Sequence, residues 1–121
     1  MTETIYKIVP ERLWRDAAAK GSFAGSPIDI ADGFIHCSTA RQVRDTAAKH
    51  FAGLTGLVIV AVSVVDLGPQ LLWEPSRGGD LFPHLYAELP MTAVHWVEPL
   101  PLDANGRHVF PALVGASGRR G

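Results

Sequence analysis

Two short stretches carry side chains able to do chemistry. DGFIHCST (Asp32–Thr39) sets His36 inside an apolar run, with Ser38 and Thr39 directly after it. LFPHLYAEL (Leu81–Leu89) sets His84 among aromatic residues in the same manner. A strand points successive side chains to opposite faces. Read as strands, the first stretch groups Phe34, His36 and Ser38 against Ile35, Cys37 and Thr39. The second groups Phe82, His84, Tyr86 and Glu88 on one face. Two strands thus offer imidazoles, aromatic rings and hydroxyls, with Glu74 of LLWE and Glu88 as nearby carboxylates. Two histidines on matching faces, each near an aromatic ring and a hydroxyl, mark a candidate functional surface. Aromatic faces supply stacking. The plainer reading makes each His a satisfied, partly buried side chain bonded to a backbone carbonyl. Both readings stay open.

Other chemistries fit less well. His36, His84, Glu74 and Cys37 are metal-ligand types, but no pair has helix or knuckle spacing and Cys37 has the opposite parity to His36. No metal is expected. No Gly-x-Ser-x-Gly elbow is present, and Ser38 doubles as a candidate helix cap. Cys37, the sole cysteine, has the parity of an inert core thiol and excludes an intrachain disulfide. Trp73 and Trp96 read as core aromatics. His50, His95 and His108 read as packing or surface residues. Glu74 ends a strand just before PSRGGD (Pro75–Asp80), a polar turn or flap of the kind that often carries function.

The elements that position these residues follow from periodicity and punctuation. TIYKIV (Thr4–Val9) is a strand, and Pro10 suits the first turn of a helix over ERLWRDAAAKG. Ser22–Gly33 reads as a loop, Phe34–Ser38 as a strand, and ARQVRDTAAKHFAG as a second helix capped by Ser38 or Thr39. GLVIVAVSVV (Gly56–Val65) is the central strand, buried on both faces. QLLWE, LFPHLYAEL, MTAVHWVEPL and RHVF follow as strands, with Pro83 confining its strand to an edge or a bulge. Helices early and strands late predict an α+β fold, with two N-terminal helices packed on a bent, mostly antiparallel sheet. Residues 1–115 form the expected single domain and 116–121 a flexible C-terminal tail.

With 121 residues the chain suits one core, and 47% hydrophobic with 19% charged residues marks a folded composition. A formal net charge of −1 provides no field for nucleic acid or an anionic membrane. LVIVAV is too short to cross a bilayer, and MTETIYKIVPERLW lacks the pattern of a signal peptide. The expected location is the cytoplasm. Dinucleotide-binding and phosphate-loop glycine motifs are missing.

IYKI, the LW of the first helix, DGFIHCST, WEPSRGGDLFPHLY and the late PLPL together resemble the domain of unknown function 952 family, from Ile5 to about Phe110. By fold that family is similar to the ADP-ribosyltransferase group, which binds NAD between two halves of a split sheet. The resemblance implies that Lys7 takes the polar position of the first-strand motif and can pair with a pyrophosphate. His36 and Ser38 would contact a ribose, and His84 would be a third polar group in the cleft. Phe34, Phe82 and Tyr86 would stack on a ring. Glu74 or Glu88 would be the late carboxylate. His36, His84 and Glu74 are thus the catalytic candidates, and Lys7, Phe34, Ser38, Phe82 and Tyr86 the ligand-binding ones. The implied ligand is a nucleotide of NAD or ADP-ribose type, with NAD the substrate of any transfer or cleavage. A non-catalytic binding module on the same fold is the alternative, and a metal-assisted hydrolase on His36, His84 and Glu74 a further one.

Overall fold

A computed structural model of the chain describes residues 3–113. The expected tail, 116–121, lies outside the described residues. Strand β1 (Thr4–Pro10) runs straight into helix α1 (Glu11–Lys20). Strand β2 (Ser22–Phe23), helix α2 (Pro27–Asp32), strand β3 (Ile35–His36) and helix α3 (Ala40–His50) follow. Strands β4 (Leu57–Ser63), β5 (Leu71–Pro75), β6 (Leu81–Leu85), β7 (Leu89–Pro90) and β8 (Val94–Pro99) complete the order. The fold is α+β, and every pairing among these strands is antiparallel. No helix among the described residues is long and apolar enough to cross a membrane.

The β-branched run forms β4, the middle of the ladder β1-β4-β8, and all seven of its residues are buried. Its two faces feed two apolar clusters. Val58, Val60 and Val62 pack with Ile5, Val9, Trp14, Phe23, Ile35 and Leu85. Leu57, Ile59 and Ala61 pack with Tyr6, Ile8, Val43 and Ala47, under α3. Lys7 has the parity of Ile5 and Val9, so the β1 pleat sends its side chain into the first of these interiors.

A second ladder, β3-β6-β5, joins the first where Tyr6 and Ser38 exchange backbone bonds of 2.7 and 2.9 Å. Here β6 is central, so Pro83 sits in a middle strand rather than at an edge or bulge. The Pro83 carbonyl accepts from Cys37 N–H at 3.1 Å. Proline has no N–H to return that bond, so the short β3 ends there and the ring costs no further ladder bond.

Three local expectations change and one alternative is settled. The segment read as a loop holds β2 and α2, which gives three α-helices among the described residues rather than two. Ser26, Pro27 and Asp29 start α2 as a capping box with proline at the first position, and Gly33 (φ +88°) ends it. Thr39, not Ser38, caps α3, accepting from Gln42 N–H at 3.2 Å. RHVF makes no strand; His108 contributes a bridge to Leu102. Trp73 is also half-exposed at 36% rather than a core residue.

Candidate functional site

The site is built around a carboxylate that the opening motifs do not contain. Asp29, 1% exposed, sits in the six-residue α2. A buried charge must be paired and hydrogen-bonded, and Asp29 is both. Lys7 Nζ lies 3.0 and 2.9 Å from its two oxygens. His36 approaches through Nδ1 at 2.6 Å and donates its backbone N–H at 3.1 Å. Ser26 donates from its N–H and its hydroxyl, each at 2.9 Å. Burial alone would raise the Asp29 carboxyl, but the His36 bond, the Lys7 charge and bond, and the Ser26 amide outweigh it. The group is held well below the usual carboxylate range. Gly25 (φ +121°) makes room for this node, since a Cβ there would stand 2.9 Å from the Asp29 Cβ.

His36 is anchored at both ends. Its Nε2 lies 2.9 Å from Asp32 Oδ2, across the last turn of α2. His84 is wired differently. Its Nδ1 lies 2.7 Å from Glu74 Oε1, which also accepts from the Tyr86 hydroxyl at 2.8 Å. The register explains the contact: Leu72 faces His84 and Glu74 faces Phe82, so Glu74 and His84 are diagonal neighbours on one face. The bonds from His84 and Tyr86 hold the Glu74 carboxyl below its usual value. Accepting that same bond, Glu74 pushes the Tyr86 phenol up.

Phe34 lies against both imidazoles. Its ring stacks on His84 (centroids 4.1 Å apart, 25° between planes) and lies 4.6 Å from His36 and 5.1 Å from Tyr86. The His rings, on directly paired residues of β3 and β6, are 5.7 Å apart and nearly perpendicular. Phe34 and Tyr86 also wall a depression of about 350 Å³, together with Ile30, Leu85 and Glu88.

The structure therefore brings together Phe34, His36, Glu74, His84 and Tyr86. Phe82, half-buried opposite Glu74, adjoins them. Two expected residues are placed elsewhere. Lys7 is 5% exposed and bonded to both Asp29 oxygens, so its charge is not open to a pyrophosphate. Ser38 is buried and its hydroxyl lies 3.0 Å from Thr46 of α3, so strand parity does not extend past His36. Glu88 stands apart from His84 and accepts from the Ser22 hydroxyl at 2.6 Å. Cys37 is buried, and burial, with Asp29 adding to it against Lys7, pushes its thiol up to about 12. Among the described residues no three His, Cys, Asp or Glu side chains gather as a metal site. His36, His84 and Glu74 do not converge on a shared point for an ion.

Asp29 and Asp32 were legible from local signals. Ser26-Pro-Ile-Asp29 is a helix-start signature, and Asp32 stands four residues before His36.

A family model described as "Protein of unknown function (DUF952)" matches residues 8–97. The crystal structure of CC0527 from Caulobacter crescentus is 48% identical, covering 88% of this chain and 93% of that one, with a TM-score of 0.84. The solution NMR structure of CC0527 is 49% identical, covers 86% and 90%, and has a TM-score of 0.78. No curated protein matches the chain.

Proposed function

From the premise that this chain belongs to the DUF952 family of proteins of unknown function, we propose that it binds a nucleotide of NAD type. The ligand would lie by its nicotinamide–ribose end on the surface of Phe34, Tyr86, Glu74 and His84. The observation that carries the reading is Glu74, an ionised carboxylate one-third exposed and held by two donors beside aromatic rings. Breaking a ribose–nicotinamide bond builds positive charge on the sugar, as in glycoside cleavage, and a fixed carboxylate stabilises it. Phe34 and Tyr86 offer faces for a planar ring. The exposed acids Asp32, Glu74 and Glu88 favour the cationic nicotinamide end, and the pairing of Lys7 with Asp29 disfavours a pyrophosphate at that point. Two antiparallel ladders joined through Tyr6 and Ser38 are compatible with the ADP-ribosyltransferase-like fold implied by the sequence motifs. That likeness is associational support for function.

A second reading, a binding module without chemistry, is favoured by a different observation. No buried side-chain nitrogen or oxygen among the described residues lacks a hydrogen bond, and Phe34 packs against both imidazoles. Isothermal titration of the folded chain with NAD, ADP-ribose and nicotinamide mononucleotide tests the nucleotide reading, and nicotinamide release on incubation with NAD separates it from a module without chemistry. Heat with NAD that is lost in Tyr86→Ala supports the nucleotide reading. No heat with any of the three sinks it.

A further inference from the structure

We infer that His84 is the general base of this site, that its Nε2 is the working atom, and that Glu74, besides facing the ribose, orients the ring through Nδ1. The inference takes its substrate from the nucleotide reading above, while the wiring it rests on stands independently. The two imidazoles are alike in sequence setting and opposite in connection. Both ring nitrogens of His36 face carboxylate oxygens, Asp29 at 2.6 Å and Asp32 at 2.9 Å. Each nitrogen of that ring is thus occupied by a carboxylate, and neither faces a substrate. His84 is only 7% exposed, its Nδ1 is engaged by Glu74, and its Nε2 has no hydrogen-bond partner among the described residues. No side-chain nitrogen among those residues is both fully buried and partnerless, so Nε2 is not fully enclosed.

A carboxylate at Nδ1 fixes the tautomer that leaves the Nε2 lone pair free and supports the imidazolium formed on proton uptake. Phe34, stacked on the ring, holds its plane and covers one face. Tyr86 walls the depression and donates to the same Glu74 oxygen that engages His84, which links the depression to the pair through one side chain. The step is a hydrolysis. A water gives its proton to Nε2 as its oxygen bonds to the anomeric carbon of the ribose. The carbon–nitrogen bond breaks, its electron pair leaves with nicotinamide, and the proton passes from His84 to solvent. NAD and water become ADP-ribose, nicotinamide and a proton.

The test is nicotinamide release from NAD by wild type, His84→Gln, Glu74→Gln and, as a control, His95→Gln on β8. The expected result is a kcat about 100-fold lower in His84→Gln with KM within about threefold, a kcat loss in Glu74→Gln as well, and none in the control. Long-range proton–nitrogen NMR of the ring reads the wiring without ligand. We expect the proton on Nδ1 in wild type and mixed tautomers in Glu74→Gln. Wild-type turnover in His84→Gln overturns the inference, as does binding of NAD without nicotinamide release. If NAD does not bind, the nucleotide reading falls and the NMR decides the base: a proton on Nε2 removes it. A bare Nε2, carbethoxylated by diethyl pyrocarbonate faster than His36, sustains it.

Discussion

Replacing Asp29 by Asn tests whether the buried carboxylate organises this part of the fold. The amide keeps the shape and one acceptor but removes the charge that faces Lys7 and His36. Lys7, 5% exposed, would then hold an ammonium with no counter-ion. Removing one partner of a buried pair costs about 3–5 kcal/mol. A domain of this size has roughly 5–15 kcal/mol to lose, and about 3–5 °C of Tm accompanies each kcal/mol. The expected drop is therefore roughly 10–20 °C, read by calorimetry or urea melts at neutral pH. Lys7→Met combined with Asp29→Asn removes the stranded ammonium and should recover at least about 1 kcal/mol relative to additivity. The pH dependence has a definite sign. The folded carboxyl is held below its ordinary value near 3.8, so the stabilisation is complete above that value and is lost as pH falls below it. Asp29→Asn should flatten that acid limb. A variant melting within about 3 °C of wild type at neutral pH, with an unchanged acid limb, would refute the reasoning.

Gly25→Ala should cost about 1–3 kcal/mol in urea melts, because φ of +121° and a 2.9 Å approach to Asp29 both oppose a side chain. An unchanged midpoint would mean the loop yields freely. Thr39→Ala should cost about 1 kcal/mol through loss of the α3 cap, with Thr39→Ser restoring most of it. Cys37 should be inert to a thiol reagent at pH 8 in the folded chain and react on denaturation, since burial pushes its thiol up to about 12. Rapid labelling of the native protein would contradict that placement.

Much of the scaffold is legible locally. The run Leu57–Ser63 is β-branched and apolar at every step but its ends and Ala61, which suits only a strand covered on both faces, and β4 is that strand. The apolar stripe Val43, Ala47 and the Thr39–Gln42 box start α3 where it starts, at Ala40, and its observed end at His50 falls three residues before Gly53. These signals act over a few residues, through torsions, caps and side-chain period, and they need no partner from elsewhere in the chain. Ser26-Pro-Ile-Asp29 is such a signal too, but a six-residue helix has too few turns to show a stripe and is easily read as a loop.

The site itself depends on pairings that no local pattern contains. Lys7 and Asp29 are 22 residues apart, and only the meeting of β1 with α2 turns a strand lysine into a buried counter-ion. Pro83 is tolerated in a central strand because β3 stops beside it, a matter of neighbour length rather than of β6 alone. The Glu74–His84 contact follows from the register of β5 on β6, and a slip of one residue would send the two side chains to opposite faces. Sequence by itself determined that His36, His84 and Glu74 could do chemistry and that strands carry them, but not the short helix that brings Asp29. Tertiary structure decided which imidazole is locked between carboxylates and which keeps a free nitrogen, because a titratable group takes its role from the charges and donors that packing brings against it.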